Sequence, residues 1–172
     1  GDIVVLWSGP GSRPGQEDAD GGVYFRRLEA AEDTAGPQVT NVFATIGDEY
    51  EPVFENAIIT PLALPETNEL VVLFSENVLA NGIGGFNSVT NPLNWELSRN
   101  GRVIANAVVS VQYGLSQRAV LSGPESDAYE AILQIDADPQ KPGLQPLPGG
   151  LYTLVLRDRV EDLADNALDG NY

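Results

Sequence analysis

Hydrophobic and polar positions alternate in short runs along this chain. Glycine, proline, asparagine and aspartate separate the runs, and no long helical stripe interrupts them. The strongest run is Glu69-Leu-Val-Val-Leu-Phe-Ser-Glu-Asn-Val78, whose continuous apolar stretch predicts a strand at the centre of a sheet. Near the C-terminus, Gly149-Gly150 leads into an alternating strand. Leu151, Thr153, Val155 and Arg157 fall on one face, and Tyr152, Leu154 and Leu156 on the other. Asn94-Trp-Glu-Leu-Ser98 also alternates, with Trp95 and Leu97 inward. Asn100-Gly101 then forms a two-residue hairpin signal, and Arg102-Val-Ile-Ala105 is the return strand.

Further strands are predicted over residues 37–45, 57–60, 107–113, 118–121 and 129–135. In the first of these Val39, with Val42 or Phe43, points inward. Residues 48–56, 81–91 and 136–149 read as irregular, the last of them proline-rich and exposed. About eight short strands with glycine, proline and asparagine turns predict an all-β sandwich. The connections are too short for helical crossovers, so the sheets are expected to be antiparallel.

The first 30 residues stand apart as a β-ribbon. Asp2-Ile-Val-Val-Leu-Trp7 and Val23-Tyr-Phe-Arg-Arg-Leu28 are strands around a Gly/Pro loop and an acidic turn. A two-stranded ribbon is marginal alone in water, so it must pack on its own chain or on a neighbour. A polar connector, 29–36, separates it from a second region, 37–172.

Composition narrows the function classes. The 172 residues hold 25 acids and 9 bases, a net charge of -16. Such a surface repels phosphate backbones and anionic membranes, and it offers carboxylates to divalent cations. Solvation in salty or extracellular surroundings is the plainer meaning of the same charge. The chain has no cysteine and no histidine. Disulfides, thiolate chemistry, Ser-His-Asp machinery and imidazole metal sites are therefore excluded. No apolar run reaches the roughly 18 residues that span a bilayer. With no methionine, the chain reads as a processed product or an internal segment.

Two stretches resemble known bacterial sequences. "IVVLWSGPGSRPGQEDADGGVYFRRLEA" is similar to one copy of a tandem repeat of large secreted and adhesin-like proteins, with the pattern VVVW, an acidic Gly-rich loop, then GVYxQRF. The matching residues are Val4, Val5, Trp7, Asp18, Asp20, Gly22, Val23, Tyr24, Arg27 and Leu28. Residues 37–172 resemble the Ig-like modules of surface-layer, cell-wall and secreted proteins. "GPQVTNV", "ELVVLFSENV", "NPLNWELSRNG" and "GGLYTLVLRDRVEDLADNALDG" carry that likeness. It implies an Ig-like antiparallel sandwich at the cell surface or outside the cell. Asp165 departs from the pattern, which has glycine there; if the backbone needs a positive φ, aspartate tolerates it less well than glycine.

The candidate chemistry is sparse. Asp162, Asp165, Asn166 and Asp169, with Asp158 nearby, are oxygen donors suited to calcium, and Asp18 and Asp20 form a second acidic loop with Glu17. Neither has EF-hand spacing, and an Asx-rich turn explains each without metal. Glu76 and Asn77 add donors if their strand end lies beside the C-terminal loop. Trp7, Trp95, Tyr113, Tyr129 and Tyr152 suit either a carbohydrate face or a core. Ser75 and Ser98 have no base available and read as structural. Gly9, Gly11 and Gly15 lack the strand-turn-helix setting of a dinucleotide site, and Asp33-Thr34-Ala35-Gly36 lacks the Asp-Thr-Gly form of aspartic proteases.

The expected function is a non-enzymatic extracellular structural or adhesive module. Ile3, Val4, Val5, Leu6 and Trp7 form a hydrophobic strand on a Gly/Pro tether, able to add to the sheet of a neighbouring copy and build a filament or surface layer. The expected partners are the chain itself or modules of the same type, without nucleic acid or membrane insertion. A calcium-stabilised carbohydrate-binding module is the alternative, and a carboxylate-based glycoside hydrolase a remote one.

Overall fold

The computed structural model describes residues 3–9, 22–28, 33–46, 49–53, 68–116 and 129–169. The strands expected at 57–60 and 118–121, and the loop bearing Asp18 and Asp20, lie outside the described residues. The chain divides into two units, Gly1–Thr34 and Ala35–Tyr172. In the first, β1 (Ile3–Gly9) and β2 (Gly22–Leu28) pair antiparallel, from Ile3 opposite Leu28 to Gly9 opposite Gly22.

The second unit is all β, with two antiparallel sheets. A five-stranded sheet has the order β4-β3-β5-β9-β8, built from β3 (Val39–Ile46), β4 (Glu49–Pro52), β5 (Glu69–Phe74), β8 (Val108–Leu115) and β9 (Tyr129–Ile135). A three-stranded sheet, β10-β6-β7, is built from β6 (Trp95–Arg99), β7 (Arg102–Val103) and β10 (Tyr152–Leu156). The continuous apolar run of β5 is explained by its place: it is the middle strand of the larger sheet and is flanked on both edges.

One core lies between the sheets. Leu70, Val72 and Phe74 of β5 join Ala131, Leu133 and Ile135 of β9 and Val108 and Val111 of β8. Trp95 and Leu97 of β6 belong to the same buried set, as do Val78, Val89, Leu147 and Val160 from the loops, with Tyr152, Leu154 and Leu156 of β10 packed against it. Each large apolar side chain fully buried here contributes roughly 1.5–3 kcal/mol. Val71 is also fully buried but points to the opposite face of the sheet, in register between Phe43 and Ile132.

The hairpin signal at Asn100-Gly101 is realised. Both residues have positive φ, 52° and 75°, and Arg99 pairs with Arg102 across them.

Two expectations need correction. Val39 is 43% exposed rather than inward. A register shift between Val39 and Asn41 leaves Thr40 as the extra residue; past it Val42 and Ala44 reach the core while Phe43 faces the other way, opposite Val71, and Val39, opposite Phe74, is the first residue of β3, where the sheet runs out. Residues 49–52, read as irregular, form β4, paired with β3 from Ile46 opposite Glu49 to Phe43 opposite Pro52. The cross-strand partner supplies the order that the acidic sequence does not advertise.

Candidate functional site

The acidic C-terminal loop, 157–169, gathers several separate segments at one end of the second unit. Val78, just past β5, bridges to Asp162, and the Leu79 amide donates to the Glu161 carbonyl at 2.8 Å. The Asp169 amide donates to the Pro37 carbonyl at 2.9 Å, and the Gln38 side chain reaches the Asp169 carboxylate at 3.3 Å. Gly36 is required at this junction, since a Cβ there would sit 2.0 Å from the Ala167 carbonyl oxygen. Ser75 serves the same seam: its hydroxyl accepts the Gln38 amide at 2.9 Å.

Asp162 is 1% exposed, and its carboxylate is committed to its own loop. Oδ1 accepts the Ala164 and Asn166 amides at 2.7 and 2.8 Å, and Oδ2 accepts the Asn166 side-chain amide at 2.9 Å. This is an Asx-type turn closed on itself. Burial pushes the Asp162 carboxyl up, but the hydrogen bonds from Asn166 and Ala164 outweigh it and hold the group below the ordinary carboxylate value. Asp165 has φ of 65°, the left-handed conformation in which glycine is at home.

The predicted calcium ligands do not converge as a set. Asp162, Asp165 and Asp169 bring no three carboxylate oxygens within 4.8 Å of one another. Asp165, Asn166 and Asp169 lie on the rim, and Asp158 is exposed. The end of β5 does lie beside the loop, and Glu76 places a carboxylate oxygen within 4.8 Å of one from Asp162. The Asn77 side-chain oxygen is used elsewhere. It accepts the Tyr113 hydroxyl at 2.9 Å, while that hydroxyl accepts the Val78 amide at 2.8 Å. Burial pushes the Tyr113 phenol up to about 12.

The segment Asn91-Pro-Leu-Asn-Trp95 is the second builder of this end. Asn91 caps a single 3-10 turn, Pro92–Asn94, by accepting the Leu93 amide at 3.0 Å, with proline at the position where no amide is needed. Its side-chain nitrogen donates to the Gly85 carbonyl at 2.8 Å. Asn94 is fully buried and donates to the carbonyls of Phe86 and Ser88, at 3.1 and 2.7 Å. The Trp95 indole donates to the Val89 carbonyl at 2.8 Å. Arg159 returns from the C-terminal loop, donating Nε to the Asn94 side-chain oxygen and stacking over Phe86, 4.5 Å from the ring centroid.

The aromatic residues go mainly to packing. Trp95 is 6% exposed in the core. Tyr113, Tyr129 and Tyr152 are partly buried against that core, with Tyr113 edge-on to Phe74 and stacked on Tyr129. Ile3, Val4, Val5, Leu6 and Trp7 all lie in β1, paired to residues 24–28 of β2.

Asn94, Arg159 and Asn87 carry roles that sequence reasoning did not assign. Asn87 donates to the Glu161 carboxylate and its carbonyl receives the Glu161 amide. The available signal was the spacing of two asparagines around a proline, just before a loop-rich stretch.

No protein-family model, no curated protein and no solved structure matches this chain.

Proposed function

We infer that this chain is a non-enzymatic structural or adhesive module of the cell surface or extracellular space, associating with itself or with modules of its own type. One observation carries the reading. Five buried polar side chains of the second unit, Asn91, Asn94, Trp95, Asp136 and Asp162, are engaged with the chain's own amides and carbonyls. Groups committed in this way build a stiff body rather than a reactive centre, since catalysis needs polar groups aimed at a substrate. The net charge of -16 favours a solvated surface in salt-rich surroundings. Assembly proceeds by strand addition from β1, whose Ile-Val-Val-Leu-Trp sequence has neither charge nor proline to discourage it. The test is deletion of residues 1–8, followed by negative-stain electron microscopy. Filaments or layers formed by the whole chain and lost on deletion support the proposal; assemblies unchanged by the deletion overturn it.

A calcium-stabilised adhesion module is the second reading, favoured by the approach of Glu76 to Asp162 within 4.8 Å. A cation there offsets the repulsion of neighbouring carboxylates. Melting with millimolar calcium against melting with chelator separates the two. A rise of several degrees with calcium selects the second reading, and superimposable melts remove it.

A further inference from the structure

Among the described residues, the two sheets of the second unit end in four edge strands, β4, β8, β7 and β10, and three of them are guarded. β4 carries Glu49, Glu51 and Pro52. β8 is broken by a register shift between Val108 and Ser110. β7 is two residues long and begins with Arg102. Charge, proline, bulges and shortness are the devices that stop edge strands from pairing.

β10 has none of them. Its sequence is Tyr-Thr-Leu-Val-Leu, uncharged and rich in β-formers, and Val155 is 42% exposed. The hydrogen-bond parity shows which groups are open. The Asn100 amide donates to the Leu151 carbonyl and the Arg157 amide to the Asn94 carbonyl, so the odd-numbered residues of this strand face β6. The amides and carbonyls of Tyr152, Leu154 and Leu156 therefore point away from the sheet, and among the described residues no backbone group pairs with them.

We propose that the β10 edge is a self-association surface, and that its occupant is β10 of a second copy, antiparallel across a two-fold axis at Leu154. This register joins Leu154 to its own mate and Tyr152 to Leu156, matching all the open groups of one strand to those of the other. It places Thr153 of each copy beside Val155 of the other on the solvent face, with no like charges opposed. In a chain with 25 acids and 9 bases, an uncharged edge whose open groups match their own copies singles out a second β10 as the partner. The product is a continuous six-stranded sheet. The surface is small, so the dimer is a weak one, and salt strengthens it by screening the repulsion of two chains of charge -16.

The inference concerns an edge distinct from β1 and is tested on the full chain by sedimentation at rising concentration in about 0.5 M salt, where screening extends only a few ångströms. The variants are T153K/V155K, which sets introduced lysines against each other across the axis, and T153E/V155K, which sets glutamate against lysine. In both, the position-155 lysine neighbours Glu96 within its own sheet, and thermal melts verify that each variant is folded. The expected result is a dimer for the unaltered chain, a monomer for T153K/V155K, and a dimer again for T153E/V155K. The amides of Tyr152, Leu154 and Leu156 are protected from hydrogen exchange only in the dimeric forms. A chain monomeric at every concentration, or association equal in both variants, as pairing through β1 alone gives, overturns the proposal.

Discussion

The side-chain nitrogen of Asn94 donates to the Ser88 carbonyl at 2.7 Å, in a position with no solvent exposure. That bond, with its companion to the Phe86 carbonyl, turns a Gly/Asn-rich loop into a fixed wall at the end of the sandwich. Asn94→Ala removes the donor from the buried Ser88 carbonyl and the part-buried Phe86 carbonyl, and one acceptor from the Arg159 guanidinium. The expected loss is about 2–4 kcal/mol, read as a fall in Tm of roughly 5–15 °C. A fall under about 2 °C shows that water replaces the amide freely.

Acid stability is tied to Asp162. Its carboxyl titrates below its ordinary value of 3.8 in the folded chain. Its contribution is therefore complete above the unfolded value and lost as pH falls through the folded one. Asp162→Asn is expected to lower Tm at pH 7, because an acceptor of three N–H donors becomes partly a donor. Between pH 4 and pH 2 the gap between the variant and the parent narrows. A gap that stays constant across that range assigns the acid sensitivity to other carboxylates.

Alkaline stability is tied to Tyr113. Its phenol is raised from 10.0 to about 12, so its contribution is complete below pH 10 and lost as pH rises toward 12. Tyr113→Phe removes the bonds to Val78 and Asn77 and costs about 1–2 kcal/mol at neutral pH. The same variant unfolds less steeply in base. Identical alkaline melting curves for the two proteins contradict the assignment.

Backbone conformation makes opposite predictions at two positions of the C-terminal seam. Asp165→Gly relieves a left-handed residue at φ 65° and is expected to stabilise by about 1 kcal/mol or less. Gly36→Ala forces a Cβ against the Ala167 carbonyl and is expected to destabilise by several times that amount, since backbone cannot yield as a side-chain tip can. Chemical denaturation of both variants checks the pair. A stabilising alanine at position 36 shows that the seam is looser than its geometry.

The strands were legible in the sequence wherever alternation and turn chemistry agreed. Trp95 and Leu97 face the core, Tyr152 and Leu154 face it too, and Asn100-Gly101 turns with both φ positive. The central place of β5 followed from a run apolar on both faces. β4 was not legible, because Glu49 and Glu51 look like a solvated loop until a partner strand is present. Val39 was misplaced because it opens β3 at the end of the sheet, and nothing in Val-Thr-Asn-Val marks where the strand begins. The acidic loop showed its residue types but not their use. Asp162 looks the same in sequence whether or not its oxygens receive amides, and only the distances to Ala164 and Asn166 show that they do.

The seam between Pro37 and Asp169 also fixes how the second unit responds to tension. The chain enters and leaves at neighbouring points, held by the Asp169 amide and the Gln38 side chain. A pull on these two points loads the contacts one after another, as in a zipper, and not in parallel, as in shear. The seam opens first, while the middle strand β5, paired on both edges, resists longest. Full extension releases about 3.4 Å per residue, roughly 450 Å of slack from this unit. A pull on the unit therefore lengthens it long before the chain itself breaks.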